Sequence, residues 1–229
     1  MTTGLLKRAV AEGAGTALLL AAVVGSGIMA TRLSGGNVAL ALLANAIATG
    51  GALVALIVTF APVSGAHFNP LVTLALLPRE SRIGRDALAY IAAQLVGAVG
   101  GVFLAHAMFG LPIVEWSGHV RATPGEWLGE FVATFGLIGL ITSGVRHRSA
   151  ALPYAVAAYI TAAYWFTSST SFANPAVALA RALTDSFAGI RPQDVPAFVA
   201  AEVAGGVVAA ALFRWLLLDS KPANNSGGM

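Results

Sequence analysis

Two short motifs in the chain, Asn69-Pro70-Leu71 and Asn174-Pro175-Ala176, combine residues that start helices with residues that recognise oxygen. Proline suits the first helical position, where its missing N–H would have had no partner, and asparagine suits the cap before it. Each pair therefore marks a helix start, which carries a partial positive charge, and each Asn amide offers two N–H donors. Two such starts brought to one point would hydrogen-bond the oxygen of a passing neutral molecule and repel a cation. That is the chemistry of passage, not of bond cleavage. The chain has no cysteine, which excludes thiolate metal sites, a Cys nucleophile and disulfides. His106, His119 and His147 are scattered without metal-ligand spacing, and no nucleophile with a base stands out, so no metal, cofactor or enzymatic activity is expected.

The elements that would carry these motifs follow from composition. Of 229 residues, 57% are hydrophobic and 10% charged, against about 25% charged in a soluble domain. Mean hydropathy is +0.80, so the chain reads as an all-α integral membrane protein. The formal charge of +3 is too small to mark a nucleic-acid surface. The gaps between charged residues can be compared with the ~20 residues that cross ~30 Å of hydrocarbon. Gly13 to Thr31 (19 residues) fits one helix, Ala87 to Val114 another, Phe131 to Val145 with an extension back to Glu126 a fourth span, and Pro196 to Leu218 a last one. Leu33 to Pro78 (46 residues) and Ser149 to Ala180 (32 residues) are each too long for a single span, and each contains an Asn-Pro. Each over-long gap is expected to hold one full span and one half-helix, at 69–78 and 174–184, stopping midway through the membrane. Irregular backbone at that depth survives only where protein buries it or a watery cavity meets it.

An internal repeat supports this division. Glu12-x-x-x-Thr16 matches Glu130-x-x-x-Thr134, Asn69-Pro70 matches Asn174-Pro175, and Ala93-Gln94-x-x-Gly97 matches Ala201-Glu202-x-x-Gly205, in the same order. Three spans and a half-helix per repeat place the second repeat upside down relative to the first. The expected organisation is a first repeat at 1–109, a connecting extracellular loop at 110–125, a second repeat at 126–218 and a disordered tail at 219–229. Nine of the thirteen Lys and Arg residues (Lys7, Arg8, Arg79, Arg82, Arg85, Arg146, Arg148, Arg214 and Lys221) fall on one side, which predicts that both termini are cytoplasmic.

Ser64-Gly65-Ala66-His67-Phe68-Asn69-Pro70-Leu71-Val72-Thr73 and Phe172-Ala173-Asn174-Pro175-Ala176-Val177, with the two Glu-x-x-x-Thr marks, resemble the aquaporin (major intrinsic protein) family over about residues 5–218. The resemblance implies six spans plus two re-entrant half-helices, a pore through each subunit, a homotetramer in contact with membrane lipids, and passive conduction of water or small neutral solutes with ions and protons excluded. Leu71 departs from the usual Asn-Pro-Ala and would have to be accommodated where the half-helices abut. Val177 stands where the family usually places an arginine at its outer constriction. By spacing, the other filter positions fall on Thr49, Ala162 and Ser171, which with Val177 would leave a wide, weakly polar opening. The chain thus looks closest to solute facilitators for polyols, urea or metalloid hydroxides, including bacterial members associated with arsenical permeation; the alternative is a water-selective pore.

The remaining candidates have structural as well as functional readings. Arg181, one turn beyond Val177, would either return a cation to the pore mouth or pair with Asp185 to hold a loop. Glu12 and Glu130 are read as buried acceptors for the N–H groups of the irregular chain that leads to each half-helix. Glu202 matches the uncharged Gln94, which argues against a proton relay. His67 lines the approach to the pore, as a neutral hydrogen-bonder or a pH gate. Gly97-x-x-x-Gly101 and Gly205-x-x-x-Ala209 are read as close helix crossings. A secondary transporter shares the broken-helix design, but no span shows the paired acid and base that coupling to an ion would need.

Overall fold

The computed structural model describes residues 4–76 and 83–218, with backbone alone at 83–85. Residues 77–78 of the expected first half-helix, Arg79, Arg82 and Lys221 of the charge pattern, and the expected tail at 219–229 lie outside the described residues. Six long helices and two short ones follow in the order α1 (Leu5–Leu33), α2 (Val38–Ser64), α3 (Pro70–Leu76), α4 (Ile83–Phe109), α5 (Pro124–Arg146), α6 (Leu152–Phe166), α7 (Pro175–Arg181) and α8 (Val195–Leu216), with a 3₁₀ turn at Pro192–Asp194 before the last. This is the all-α architecture expected, with α3 and α7 as the half-helices.

Local sequence accounts for most boundaries. Asn37 caps α2 by accepting from Leu40 N at 3.0 Å, and Gly65 ends α2 at φ 95°, a left-handed position that favours glycine. Thr123 and Glu126 form a capping box around Pro124, so α5 begins at Pro124 rather than at Glu126. The Thr-x-x-Glu signature for that start is present in the sequence. Five helices have the length and hydropathy to cross a membrane. The remaining long helix, α6, has 15 residues, about 22 Å. It stops at the Thr167–Ser171 run, where Thr167 Oγ1 turns back to the carbonyl of Ala163 at 2.7 Å and competes with helix continuation. The second half-helix is shorter than 174–184: Asn174 is its cap and its last residue is Arg181.

The two halves pack alike. α1 lies against α4 and α2, and α3 against α4; α5 lies against α8 and α6, and α7 against α8. Small residues set the crossings. A methyl group on Gly97 or Gly101 of α4 would strike the backbone carbonyls of Gly13 or Ala17 on α1, and one on Gly205 of α8 would strike that of Phe131 on α5. Large apolar side chains such as Leu88, Val96, Val207 and Trp215 are left exposed, as a lipid-facing surface requires. The halves join through α2 on α6 and through the half-helices, with α3 touching α7.

Candidate pore

Each half-helix begins as its sequence dictates. Asn69 Oδ1 accepts from Leu71 N at 2.9 Å and Asn174 Oδ1 from Ala176 N at 3.0 Å, so both side chains cap the helices that Pro70 and Pro175 open. The amide nitrogens reach across the repeat boundary: Asn69 Nδ2 donates to Ala173 O and Asn174 Nδ2 to Phe68 O, each at 2.8 Å. The two starts are thereby locked to each other. One N–H of each amide is spent on this brace and the other is left for the cavity that both asparagines line.

The chain leading to each start is strained in the same way. Phe68 and Ala173, just before the asparagines, have φ 50°, and Ala66 and Ser171, two residues earlier, have φ 52° and 53°. Such conformations in non-glycine residues persist only where surrounding contacts impose them. The contacts are the buried carboxylates. Glu12 accepts from Ser64 Oγ at 2.6 Å, His67 N at 2.9 Å, Phe68 N at 2.7 Å and Gln94 Nε2 at 2.8 Å. Glu130 accepts from Phe172 N at 2.8 Å and Ala173 N at 2.7 Å. Both are fully buried and reach the amides one and two residues before the asparagine.

A cavity of about 120 Å³ runs past the two asparagines. Towards one end it is lined by His67, Leu76, Val145 and Leu152, and along its length by apolar side chains such as Leu53 and Ile160. His67 is buried, with Nδ1 3.1 Å from Thr73 Oγ1 and its ring centroid 5.5 Å from that of Tyr90. Towards the other end the lining residues are Thr49, Tyr164, Ser171, Val177 and Arg181. Thr49 Oγ1 and Tyr164 Oη are 3.2 Å apart. Ser171 Oγ is buried and has no partner among the described residues. Among the described lining residues none is acidic, and Arg181 is the one arginine.

Ala162 does not join this group. It is exposed on the outer surface of α6, whose buried positions are Val156, Ala157, Ile160, Ala163 and Tyr164. Position 162 lies about 200° round the helix from both 160 and 164, so α6 lines the cavity through Leu152, Val156, Ile160 and the aromatic Tyr164 instead. Leu71 is also placed differently. Neither it nor Ala176 lines the cavity, and Leu71 packs in a separate apolar cluster with Val72, Ile138 and Ala209.

Arg181 and Asp185 do not pair with each other. Arg181 Nε donates to the carbonyl of Ala188, and its guanidinium carbon sits 3.4 Å from the centroid of the Phe172 ring. Asp185 Oδ1 accepts from Gly118 N at 2.9 Å, which ties the loop after α4 to the segment after α7, beside Ser117 N to Ala182 O at 3.0 Å. His106, to which the sequence reading gave no role, is buried and holds the same loops through Pro112 O at 2.6 Å and Thr184 Oγ1 at 2.8 Å.

Arg121 escaped the sequence reading because a lone loop arginine carries no signal. It is buried, donates to Gly189 O and Ser169 O at 2.9 Å each, and lies 5.0 Å from the centroid of Phe172. Burial pushes its guanidinium below the usual arginine range, while Glu126, Glu130 and Tyr164 act in the opposite sense. Two arginines thus flank one ring at the Arg181 end of the cavity.

The family model described as Major intrinsic protein matches residues 1–152. Over 218 residues the chain is 56% identical to aquaglyceroporin AqpS of Rhizobium meliloti (strain 1021), covering 95% of this chain and 93% of that protein. It is 35% identical over 170 residues to a probable aquaporin AqpM of Archaeoglobus fulgidus and 34% over 167 residues to aquaporin AqpM of Methanothermobacter marburgensis, in each case 67% of this chain and 68% of the relative. Paired half-helices meeting over one cavity, within a multi-pass bundle of apolar helices, agree with these likenesses: the chain belongs to the major intrinsic protein family of membrane channels and is not an enzyme.

Proposed function

We propose that this channel for small neutral solutes passes polyols, urea and metalloid hydroxides, with water as a further permeant. The observation that carries the reading is Val177 in the cavity wall beside four polar groups: Thr49, Tyr164, Ser171 and Arg181. A solute with several hydroxyls finds acceptors and donors within an otherwise largely apolar lining, the balance expected of a small-molecule passage. The 56% identity to an aquaglyceroporin supports the same class. The cavity has no described carboxylate to attract cations, and Arg181 and the two Asn amides present positive potential, which supports exclusion of cations and protons.

One observation favours a stricter water pore as the second reading. Tyr164 supplies an aromatic ring to the cavity lining where a small Ala162 was expected. The Val177→Arg variant separates the two: uptake of glycerol and neutral arsenite into proteoliposomes falls while water flux persists, whereas undiminished uptake of the larger solutes would show that Val177 is not the gate. The distribution of Lys and Arg supports cytoplasmic termini, and the family supports a homotetramer within a bacterial plasma membrane.

A further inference from the structure

The likeness of the two halves permits a residue-by-residue comparison, and it breaks at one place. On α4, Gln94 Nε2 donates to Glu12 at 2.8 Å. On α8 the matching position is Glu202, by Ala93-Gln94-x-x-Gly97 against Ala201-Glu202-x-x-Gly205. Glu202 is fully buried and its Oε1 accepts from Asn174 N, the amide of a pore asparagine, at 3.0 Å. Glu130 accepts from Phe172 N and Ala173 N and Glu202 from the next amide along the chain, Asn174 N, so the two buried carboxyls converge on three consecutive amides. Glu202 Oε2 is buried and meets no donor among the described residues.

Two adjacent carboxylates in a dry interior repel strongly, and among the described residues neither has a cation hydrogen-bonded to it. The nearby arginines are engaged elsewhere: Arg181 with Ala188 O, and Arg121 with Gly189 O and Ser169 O. A single proton resolves the contact, because a carboxylic acid donates where two carboxylates can only accept. The proton belongs on Glu202, since Glu130 has a backbone amide on each oxygen and Glu202 has one amide in all.

We infer that Glu202 is a positioning residue held as a neutral carboxylic acid, donating to Glu130 and accepting from the amide of Asn174. It does for the second half-helix what Gln94 does for the first. The inference rests on the pore reading only where flux is measured.

The test uses the full-length protein in lipid, comparing wild type, Glu202→Gln and Glu202→Leu. The infrared difference spectrum of wild type minus Glu202→Gln is expected to contain the C=O stretch of a protonated carboxylic acid, a readout independent of any transport. Glu202→Gln, which can donate and accept at the same two places, is expected to keep solute flux within about twofold of wild type, whereas Glu202→Leu orphans both partners and loses about tenfold or more, or fails to fold. No protonated-carboxyl band in the difference spectrum overturns the inference, as does a Gln variant as impaired as the Leu one. If no variant and no wild type passes any solute, the pore reading fails while the infrared result still decides the protonation.

Discussion

Glu12→Gln exchanges one oxygen of a buried four-bond acceptor for an NH₂ group, and its cost can be worked from the bonds that change. Ser64 Oγ and His67 N converge on Oε1, and Phe68 N and Gln94 Nε2 on Oε2. A glutamine keeps one oxygen and so one pair. The other pair then faces a donor. One of those bonds is recoverable, because Gln94 Oε1 has no partner among the described residues and the Gln94 amide can rotate to accept, though Nε2 then gives up its bond to Thr73 Oγ1 at 3.0 Å. The Phe68 amide has no such recourse. Losing its bond to a charged acceptor costs about 1.5–3 kcal/mol, the bond to Thr73 about 1 kcal/mol, and the two bonds that persist lose about 1 kcal/mol each as the acceptor becomes neutral, for a total of about 4.5–6 kcal/mol. For a chain of this size, about 2–4 °C per kcal/mol puts the fall in melting temperature at about 10–25 °C. Phe68 is held at φ 50° by that bond and its carbonyl receives the Asn174 amide, so solute flux falls as well. The assay is thermal unfolding of detergent-purified protein with flux measured in parallel. A Glu12→Gln variant melting within about 2 °C of wild type would refute the reasoning that these amides depend on a charged acceptor.

Other perturbations follow from the same geometry. Gly205→Val drives a side chain into the Phe131 carbonyl and is expected to lower stability by about 1–3 kcal/mol or prevent assembly, as judged by the yield and melting of monodisperse protein. Asn174→Asp keeps the cap on Ala176 N, loses the donor to Phe68 O and places a negative charge at the meeting point, so cation conductance in planar bilayers is expected to rise from background. His106→Ala removes two buried loop contacts and is expected to cost about 1–2 kcal/mol in thermal melts with the solute ranking unchanged.

The sequence carried the fold because its landmarks are local. Charges bracket the spans, Asn-Pro marks each half-helix, and Glu-x-x-x-Thr recurs at a repeat spacing; all of these are visible without knowing what touches what. Contacts between repeats were not legible. The cross-brace from Asn69 to Ala173 and from Asn174 to Phe68 joins residues more than a hundred positions apart. The residue of α6 that lines the cavity with Thr49, Ser171 and Val177 was missed for a geometric reason. Counting back from Asn174 crosses the irregular Thr167–Ala173 segment, where residues per unit length are not helical, and it landed on exposed Ala162 instead of Tyr164. Asp185 was matched to Arg181 by one-turn spacing, but α7 ends at Arg181, so the spacing had no helix to act through. The match of Glu202 to Gln94 was visible, but its bond to the amide of Asn174, 28 positions earlier, was not.

The most direct test of the account is stopped-flow light scattering on proteoliposomes of wild-type protein, presenting glycerol, urea, neutral arsenite and water in turn, with membrane potential recorded in the same vesicles. The account predicts fast, non-saturating, ionophore-insensitive entry of the neutral solutes and no dissipation of an imposed K⁺ or H⁺ gradient. Solute entry no faster than in empty liposomes, or collapse of either ion gradient, would contradict it.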